Sequence, residues 1–564
     1  MDDITPEALD SLVAGLKKAG VNTPLNGSVP SGIRPLGFHN ASGSFRNASA
    51  KPHIGPGELL TDDGKGKLSR LIDSVAAEVV ASALDDILAW DSSAGSWLLW
   101  QGTHWQPLPS ATPAEGLIAQ AVTTGTTPLG FRVGYLDGIT KIIQRRDILQ
   151  RPPRPAGVVP FLNGLLDLKS GTLRPASPTD SLDWVLPHRY AKGADCPTIK
   201  AWLKSAVDGD ADTVELLRAW LAALVRGLPV QRFLMLKGRG GTGKSTFERL
   251  AGALIGDSNL VITSLKDLEE NRFESAKLYG KRLCQIHEAG RHGGALNVLK
   301  SITGGDALRL ERKHVQQSGS FVFGGLVLLA TNEDMQTSDS TSGLERRRIQ
   351  VRFNRTVTPA EKADWEAKGG EAAVLHVEIP GLVNWLLALP ESTIRDRLEN
   401  LPDRVQQDNL LGMAAGNSCA DWLLECVIFD PEASQQIGVK TECRDKENGS
   451  TYYANASAWL YPSYLQYCQE HGRARPVSAR KFSDTVVDIA EHLGHVITRK
   501  RDNLTRAHTL MGLRLCTLTD GDPEASGSVR KDSGSQPPPY RKERKYGRQI
   551  FGSENSTAPA EEAF

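Results

Sequence analysis

The feature that most constrains this chain is the run LMLKGRGGTGKST, residues 234–246. The apolar stretch RFLMLKG predicts a buried strand, and KSTFERLAGALIG predicts an amphipathic helix closed by Gly256. The turn between them has the G-x-x-x-x-G-K-[ST] spacing, in which backbone N–H groups face an anion at a helix N-terminus. Gly238, Arg239, Gly240, Gly241, Thr242, Gly243, Lys244, Ser245 and Thr246 are the expected phosphate loop. Lys244 would reach the β/γ-phosphates and Ser245 would hold Mg2+. Strands separated by helical segments follow, which argues for a parallel sheet with helices on its faces. The loop by itself implies NTP binding and says nothing of what the nucleotide drives.

Three further segments sharpen the reading. KRLCQIHEA predicts a second strand, ending at Glu288, the acid expected beside a phosphate loop to hold Mg2+ through water or polarise the attacking water. An Asp-Glu pair is more usual there; here His287 precedes the acid and is assigned a structural role. GGLVLLATN predicts a third strand ending in Thr331-Asn332. Asn332 can hydrogen-bond the attacking water or the γ-phosphate, although Asn is also a turn former. GLERRRIQVRF then sets three arginines before an alternating strand, and Arg347 and Arg348 are the candidates for a finger that stabilises charge on the transferred phosphoryl group. Between the second and third strands lies LRLERKHVQQSG, a charge cluster that in isolation reads as solvated surface.

Charge and cysteines bound the class. Lys+Arg and Asp+Glu are equal at 66 each, which argues against coating nucleic acid by bulk charge and leaves local basic sites open. The 7 cysteines are scattered without a CxxC pair, as in a cytosolic protein with reduced thiols and neither a disulfide framework nor a zinc site. The N-terminus is acidic where a signal peptide is basic, and no apolar run nears the ~18 residues of a membrane span. The expectation is a soluble, cytoplasmic protein without a membrane partner.

A chain of 564 residues suggests three or four domains. Residues 1–60 read as mostly disordered, with one short helix over 5–19. Residues 61–230 read as an α+β domain: a helical pattern from about 66 to 90, a hairpin around Gly102, small strands over 157–173, and helices from 197 to Gly227. The core spans 231–395 and a connector 396–418. Residues 419–518 read as mostly helical with a hairpin from HVITRK and TLMGLRLCTL, and 519–564 as a disordered tail.

In this order, the core motifs resemble the superfamily 3 helicases of viruses, phages and plasmids, which are AAA+-type ring motors. LKSITGGDALRLERKHV looks like their additional motif between core strands, and EIPGLVNWLLALPES is similar to the segment closing the core in the phage/plasmid primase–helicase branch. FLNGLLDLKSGTLRPASP with HRYAKGADCPTIKAWL resembles the domain preceding the helicase there, also found in poxvirus-type primase–helicases. WLYPSYLQYCQEHGRARPVSARKFSDTV resembles a C-terminal winged-helix module. The implied fold is α/β: a P-loop AAA+-type ATPase core, an α+β N-terminal domain and a winged-helix C-terminal domain.

The resemblance implies an ATP-dependent DNA helicase of phage, plasmid or mobile-element replication, using ATP and Mg2+ and moving on single-stranded and forked DNA. It implies a homo-hexameric ring with the arginine finger supplied by a neighbour, and a separate primase or polymerase as partner. Lys313 and His314 would lie near the tip of a channel hairpin and grip the strand through phosphate, with Arg309 and Arg312 as lesser candidates. Lys300 and Asp306 would fix the hairpin's base. Basic residues at 473, 475, 480, 481, 499, 500, 501 and 506 favour DNA contact by the C-terminal module. Two alternatives stay open. A bifunctional primase–helicase needs converging carboxylates on a sheet, and Asp62-Asp63 and Asp85-Asp86 have no strand context in the pattern. An origin-binding or partner-recruiting ATPase would bind duplex without unwinding it.

Overall fold

The computed structural model describes residues 52–287, 294, 296–311, 319–333, 335, 342–446, 449–473, 476–501 and 507–517. The segment 1–51 and the tail from 518 lie outside the described residues, as do the helix expected over 5–19 and the disorder expected at both ends.

The protein is built on a mixed α/β plan around one five-stranded sheet. Helix α1 (Ala211–Arg226) ends where Gly227 takes a left-handed φ of 66°. The strands follow: β1 (Phe233–Lys237), β2 (Leu260–Ser264), β3 (Leu283–His287), β4 (Leu326–Thr331) and β5 (Arg348–Arg352). Helix α2 (Lys244–Ile255) follows β1, and α3 (Asn297–Gly304) follows β3. The order across the sheet is β2-β3-β4-β1-β5 and every pairing is parallel.

Side chains alternate between faces along each strand, and both faces are buried. Leu234 and Leu236 of β1 join Leu326 and Leu328 of β4 on one side, against Trp220 of α1 and Phe247, Leu250 and Leu254 of α2. Phe233, Met235, Val327 and Leu329 point the other way, against Leu299 and Ile302 of α3 and Leu308, Leu310 and Phe321 of a hairpin. That hairpin pairs Ala307–Leu310 with Gly319–Val322 in antiparallel register, Leu310 opposite Gly319. The free side of β5 is covered by polar contacts. Helix α4 (Ile379–Leu387) packs near α1, and α5 (Asp403–Gly416) lies along β5. There Gln350 N–H donates to Asn409 Oδ1 at 2.8 Å, and Arg352 pairs with Asp408 at 2.9 Å.

Two expectations change. The helical pattern over 66–90 is a helix only over Asp73–Ser82; Leu88–Asp91 is a strand paired with Ser96–Trp100. Leu88 and Ala89 are buried by that pairing, so tertiary contact overrides local periodicity. The expected hairpin around Gly102 is present, Ser96–Trp100 against Trp105–Pro107. The edge strand β2 was not expected; its sequence LVITS is short and its Ile262 is exposed, so the apolar signal is weak.

The C-terminal region sets Ser418–Cys426, Leu460–Glu470 and Ala479–His492 beside an antiparallel sheet of Val427–Gln436, His508–Leu515 and Thr498–Arg501. The last two are the hairpin expected from the sequence. Among the described residues no single helix is long and apolar enough to cross a membrane.

Helix α4 clamps the segment leading into helix Pro197–Ala206. Asn384 Nδ2 donates to Ala191 O and Ala194 O at 2.8 and 3.0 Å, and the Glu378 carboxylate accepts the N–H groups of Thr198 and Ile199. Gly381 is in closest contact: a Cβ there would stand 2.0 Å from the Asp195 carbonyl oxygen, a backbone atom that cannot swing aside. Gly381→Ala should therefore destabilise the protein by about 1–3 kcal/mol, the usual cost of overpacking, read as a lowered midpoint in thermal or urea unfolding.

Candidate nucleotide site

The loop from Gly238 to Gly243 leaves the C-terminal end of β1 and enters α2. It is held by both neighbouring strands. Gly238 N–H donates to Thr331 O of β4 at 3.3 Å, Phe353 N–H beyond β5 donates to Lys237 O at 2.8 Å, and Val357 N–H donates to Gly241 O at 3.0 Å. Glycine is needed at 238, where a Cβ would lie 2.2 Å from Phe353 O, and at 243, whose φ is 92°. Lys244 opens α2 and is buried; its ammonium donates to Gly238 O at 2.7 Å and Arg239 O at 2.9 Å. Burial pushes the Lys244 pKa down, opposed by the charge of Glu248.

A cavity of about 1120 Å³ opens over this loop. Its floor is Gly240–Thr246, and Glu248, His287, Thr331 and Asn332 also line it. The C-terminal ends of β1, β3 and β4 thus converge on one space, the usual ligand position of an open α/β sheet. The far wall carries Trp202, Trp365, Arg355 and Glu371. Glu371 ties that wall to α2, accepting from Thr246 Oγ1 at 2.9 Å and from Arg249 Nε and Nη2 at 2.8 and 2.6 Å. Burial pushes the Glu371 carboxyl up, but the bonds from Arg249 and Thr246 outweigh it and hold its pKa below the ordinary value.

The sequence-predicted residues fall as follows. The phosphate loop and Asn332 share the cavity. Glu288 follows β3 directly but lies outside the described residues. In the sheet, β4 stands between β3 and β1. His287 lines the cavity rather than serving only the core. Its Nδ1 is 3.6 Å from Oε1 of Glu248, which is 3% exposed. Burial pushes the Glu248 carboxyl up in pKa, opposed by the charges of His287, Arg249 and Lys244.

The arginines lie at the opposite, N-terminal end of β1 and β5. Phe233 N–H, at the start of β1, donates to Arg347 O at 2.7 Å. Parallel register puts this point a strand length from the loop, roughly 15 Å at 3.3 Å per residue. Arg348 is corrected as a finger candidate: its side chain is 1% exposed, paired with Glu345 and donating from Nη2 to Asn409 O at 2.7 Å, so the core holds its guanidinium. Arg347 is half-buried, bonds Gly343 O at 2.7 Å and keeps an Nε without a hydrogen-bond partner among the described residues. Arg346 is exposed. Arg346 and Arg347 line a separate cavity of about 610 Å³ with Arg232 and Arg395.

Arg312, Lys313 and His314 lie outside the described residues, in the sequence joining the two strands of the 307–322 hairpin. Arg309 on its first strand is exposed. The hairpin's strands are anchored toward their turn end: Arg272 pairs with Glu311 at 3.3 Å, and Ser320 N–H donates to Ser93 O at 2.8 Å.

ATP and Mg2+, implied by the resemblance, fit these residues. Exposed Ser245 stands in the first turn of α2, and buried Glu248 Oε1 has no hydrogen-bond partner among the described residues. Sequence reasoning missed Glu248, Trp202 and Glu371. Glu248 was within reach, four residues after Lys244 and so on the same helix face. Trp202 and Glu371 are distant in sequence, and no local pattern points to them.

Parts of this chain are similar to known families and proteins. Residues 136–208 match the family described as D5 N terminal like, and residues 236–348, from the phosphate loop to Arg348, match a family of unknown function, DUF5906. Two relatives from Marchantia polymorpha are uncharacterized mitochondrial proteins. One, ymf21, is 29% identical over 126 residues, 20% of this chain and 70% of the relative. The other, ymf20, is 26% identical over 109 residues, 19% of this chain and 65% of the relative. The solved apo A-form structure of the NrS-1 C-terminal region superposes with a TM-score of 0.39 at 13% identity, covering 75% of this chain and 95% of that one. A second apo structure of the same region gives 0.40 at 12% identity, covering 79% and 100%. The D5 N-terminal-like match falls on the segment that resembles the domain before the helicase, and it supports a relation of this chain to phage-type primase–helicases.

Proposed function

We propose that this protein is an ATP-dependent DNA helicase that moves along single-stranded DNA during phage, plasmid or mobile-element replication. The observation that carries the reading is the division of the chemistry between the two ends of the strands of one sheet. The phosphate loop, His287 and Asn332 share a cavity at the C-terminal ends of the strands, while Arg346 and Arg347 sit a strand length away. An arginine there cannot serve its own cavity. It can serve that of a second copy, which favours a ring, and a hexamer is the proposed assembly. The strand arrangement around β1 supports an AAA+-type core, and the C-terminal helices with their hairpin support a winged-helix module.

In this reading the backbone N–H groups of Gly240–Lys244 and the Lys244 ammonium bind the phosphates of ATP, and Ser245 and Glu288 hold Mg2+. Bound Mg2+ supplies neutralisation of charge on the β- and γ-phosphates. Lys244 exchanges its two loop carbonyls for phosphate oxygens without moving off the loop. Asn332 orients the attacking water from the end of β4, with Glu288 as the acid that polarises it. Arg347 of the neighbouring copy, or Arg346, completes the charge stabilisation. Trp202 and Trp365 offer apolar surface on the cavity wall for the nucleoside. Arg312, Lys313 and His314 carry the DNA contact, on the sequence joining the two anchored strands of the hairpin. A primase or polymerase partner, and a cytoplasmic location, follow from the same reading.

A second reading, an origin-binding ATPase without unwinding, is favoured by one surface. Arg480 and Lys481 on helix Ala479–His492, and Arg499, Lys500 and Arg501 on the adjoining strand, are all exposed. Such a cluster suits duplex DNA.

Three outcomes test the reading. Lys244→Ala should abolish unwinding of a forked duplex with ATP; unwinding at the wild-type rate would sink the helicase assignment. Substituting Ala at both Lys313 and His314 should remove unwinding while leaving nucleotide binding intact, measured by filter binding. Arg347→Ala should cut ATP turnover by about 10³-fold or more if it is the finger. Mixing it with Lys244→Ala subunits should restore part of the turnover, because each variant carries the half-site the other lacks. No recovery at any mixing ratio would argue against sites shared between copies.

A further inference from the structure

The sequence leaves a gap at the metal. Where an Asp-Glu pair is usual, β3 ends in His287-Glu288, so one carboxylate is missing from that edge. The structure holds a carboxylate that the sequence reading did not use. Glu248 stands one turn after Lys244 on α2, is 3% exposed, and lines the cavity with Ser245 and His287. Among the described residues its Oε1 has no hydrogen-bond partner, and nor has Nε2 of His287. The two side chains approach to 3.6 Å, beyond hydrogen-bond distance. Gln285, two residues before His287 on β3, donates to the Glu248 carbonyl at 2.7 Å and ties this turn of the helix to the strand. A buried carboxylate oxygen without a donor costs free energy unless a ligand supplies one.

We propose that Glu248 supplies the missing carboxylate: it accepts hydrogen bonds from water in the Mg2+ coordination shell, and His287 is the positioning residue that keeps it turned toward the cavity. In this arrangement one carboxylate stands on the helix beside β3, and His287 stands where the first acid of the usual pair would be. The geometry suits an outer-shell role, since Mg2+ retains several waters and is held through few direct protein ligands. This rests on the nucleotide reading above.

The test is Mg2+-dependent binding of N-methylanthraniloyl-ATP to the full chain, followed by fluorescence, first in EDTA and then across an Mg2+ titration. Wild type should bind the probe in EDTA and bind it more tightly as Mg2+ is added. Glu248→Gln should match wild type in EDTA and need about 10–100-fold more Mg2+ for half of the tightening, the usual cost of losing an outer-shell partner. Glu248→Asp, which keeps the charge, should fall between. His287→Gln should shift the Mg2+ midpoint in the same direction with the carboxylate intact, and it carries the test if Glu248→Gln fails to fold by circular dichroism. An unchanged Mg2+ midpoint overturns the proposal. So does a loss of affinity equal with and without Mg2+, which would mean that Glu248 acts only by holding Lys244. If wild-type protein binds the probe under neither condition, the nucleotide reading itself fails, a result distinct from both.

Discussion

The structure depends on the central position of β1. It pairs in parallel with β4 on one side and β5 on the other, and it is buried on both faces. A strand so enclosed has no freedom at its end, and the loop that leaves it is fixed by the same neighbours. Gly238 donates to the last residue of β4 and packs against the carbonyl of Phe353, just past β5. Loop geometry is therefore a property of three strands at once, the kind of preorganisation that a phosphate-binding backbone requires.

The same enclosure explains how distant parts reach the site. Trp202 belongs to a helix whose first N–H groups are capped by Glu378, while α4 clamps the segment before it. Glu371 joins the outer wall to α2 through Thr246 and Arg249. On the opposite edge, α5 takes up the polar side of β5: Arg348, Gln350 and Arg352 all find partners between Asp408 and Asn409. That contact protects an edge strand from pairing with another chain. It also removes Arg348 from any role outside the core, leaving Arg346 and Arg347 as the groups that face outward.

Much of this was legible in the sequence, and the limits are physical. RFLMLKG, GGLVLLATN and RIQVRF are long enough and apolar enough to read as buried strands, and glycines at 227 and 256 mark helix ends through their positive φ. The strand Leu88–Asp91 was read as helix because its apolar residues continue the preceding helical spacing; only pairing with Leu98 and Leu99 decides it. The strand order was also beyond reach. Nothing in LCQIH says that β4 will insert between it and β1. Arg347 and Arg348 are equivalent as letters; the two-residue alternation of β5 turns Arg348 inward.

The Glu248–His287 pair shows why motif reading stops where it does. A motif records which residue types stand at fixed places along the chain, whereas a metal's surroundings are set by where charges stand in space. A residue four positions into α2 and one at the end of β3 face the same point because the helix crosses that strand, as the bond from Gln285 to the Glu248 carbonyl marks. A carboxylate can therefore pass from one element to the other with little change in the field at the cavity, since Coulomb energy depends on separation and screening. The linear pattern breaks while the spatial one persists. His287 then ceases to be a defect in the motif. In the proposed arrangement it stands 3.6 Å from Glu248, where a second carboxylate would repel that acid and an imidazole does not.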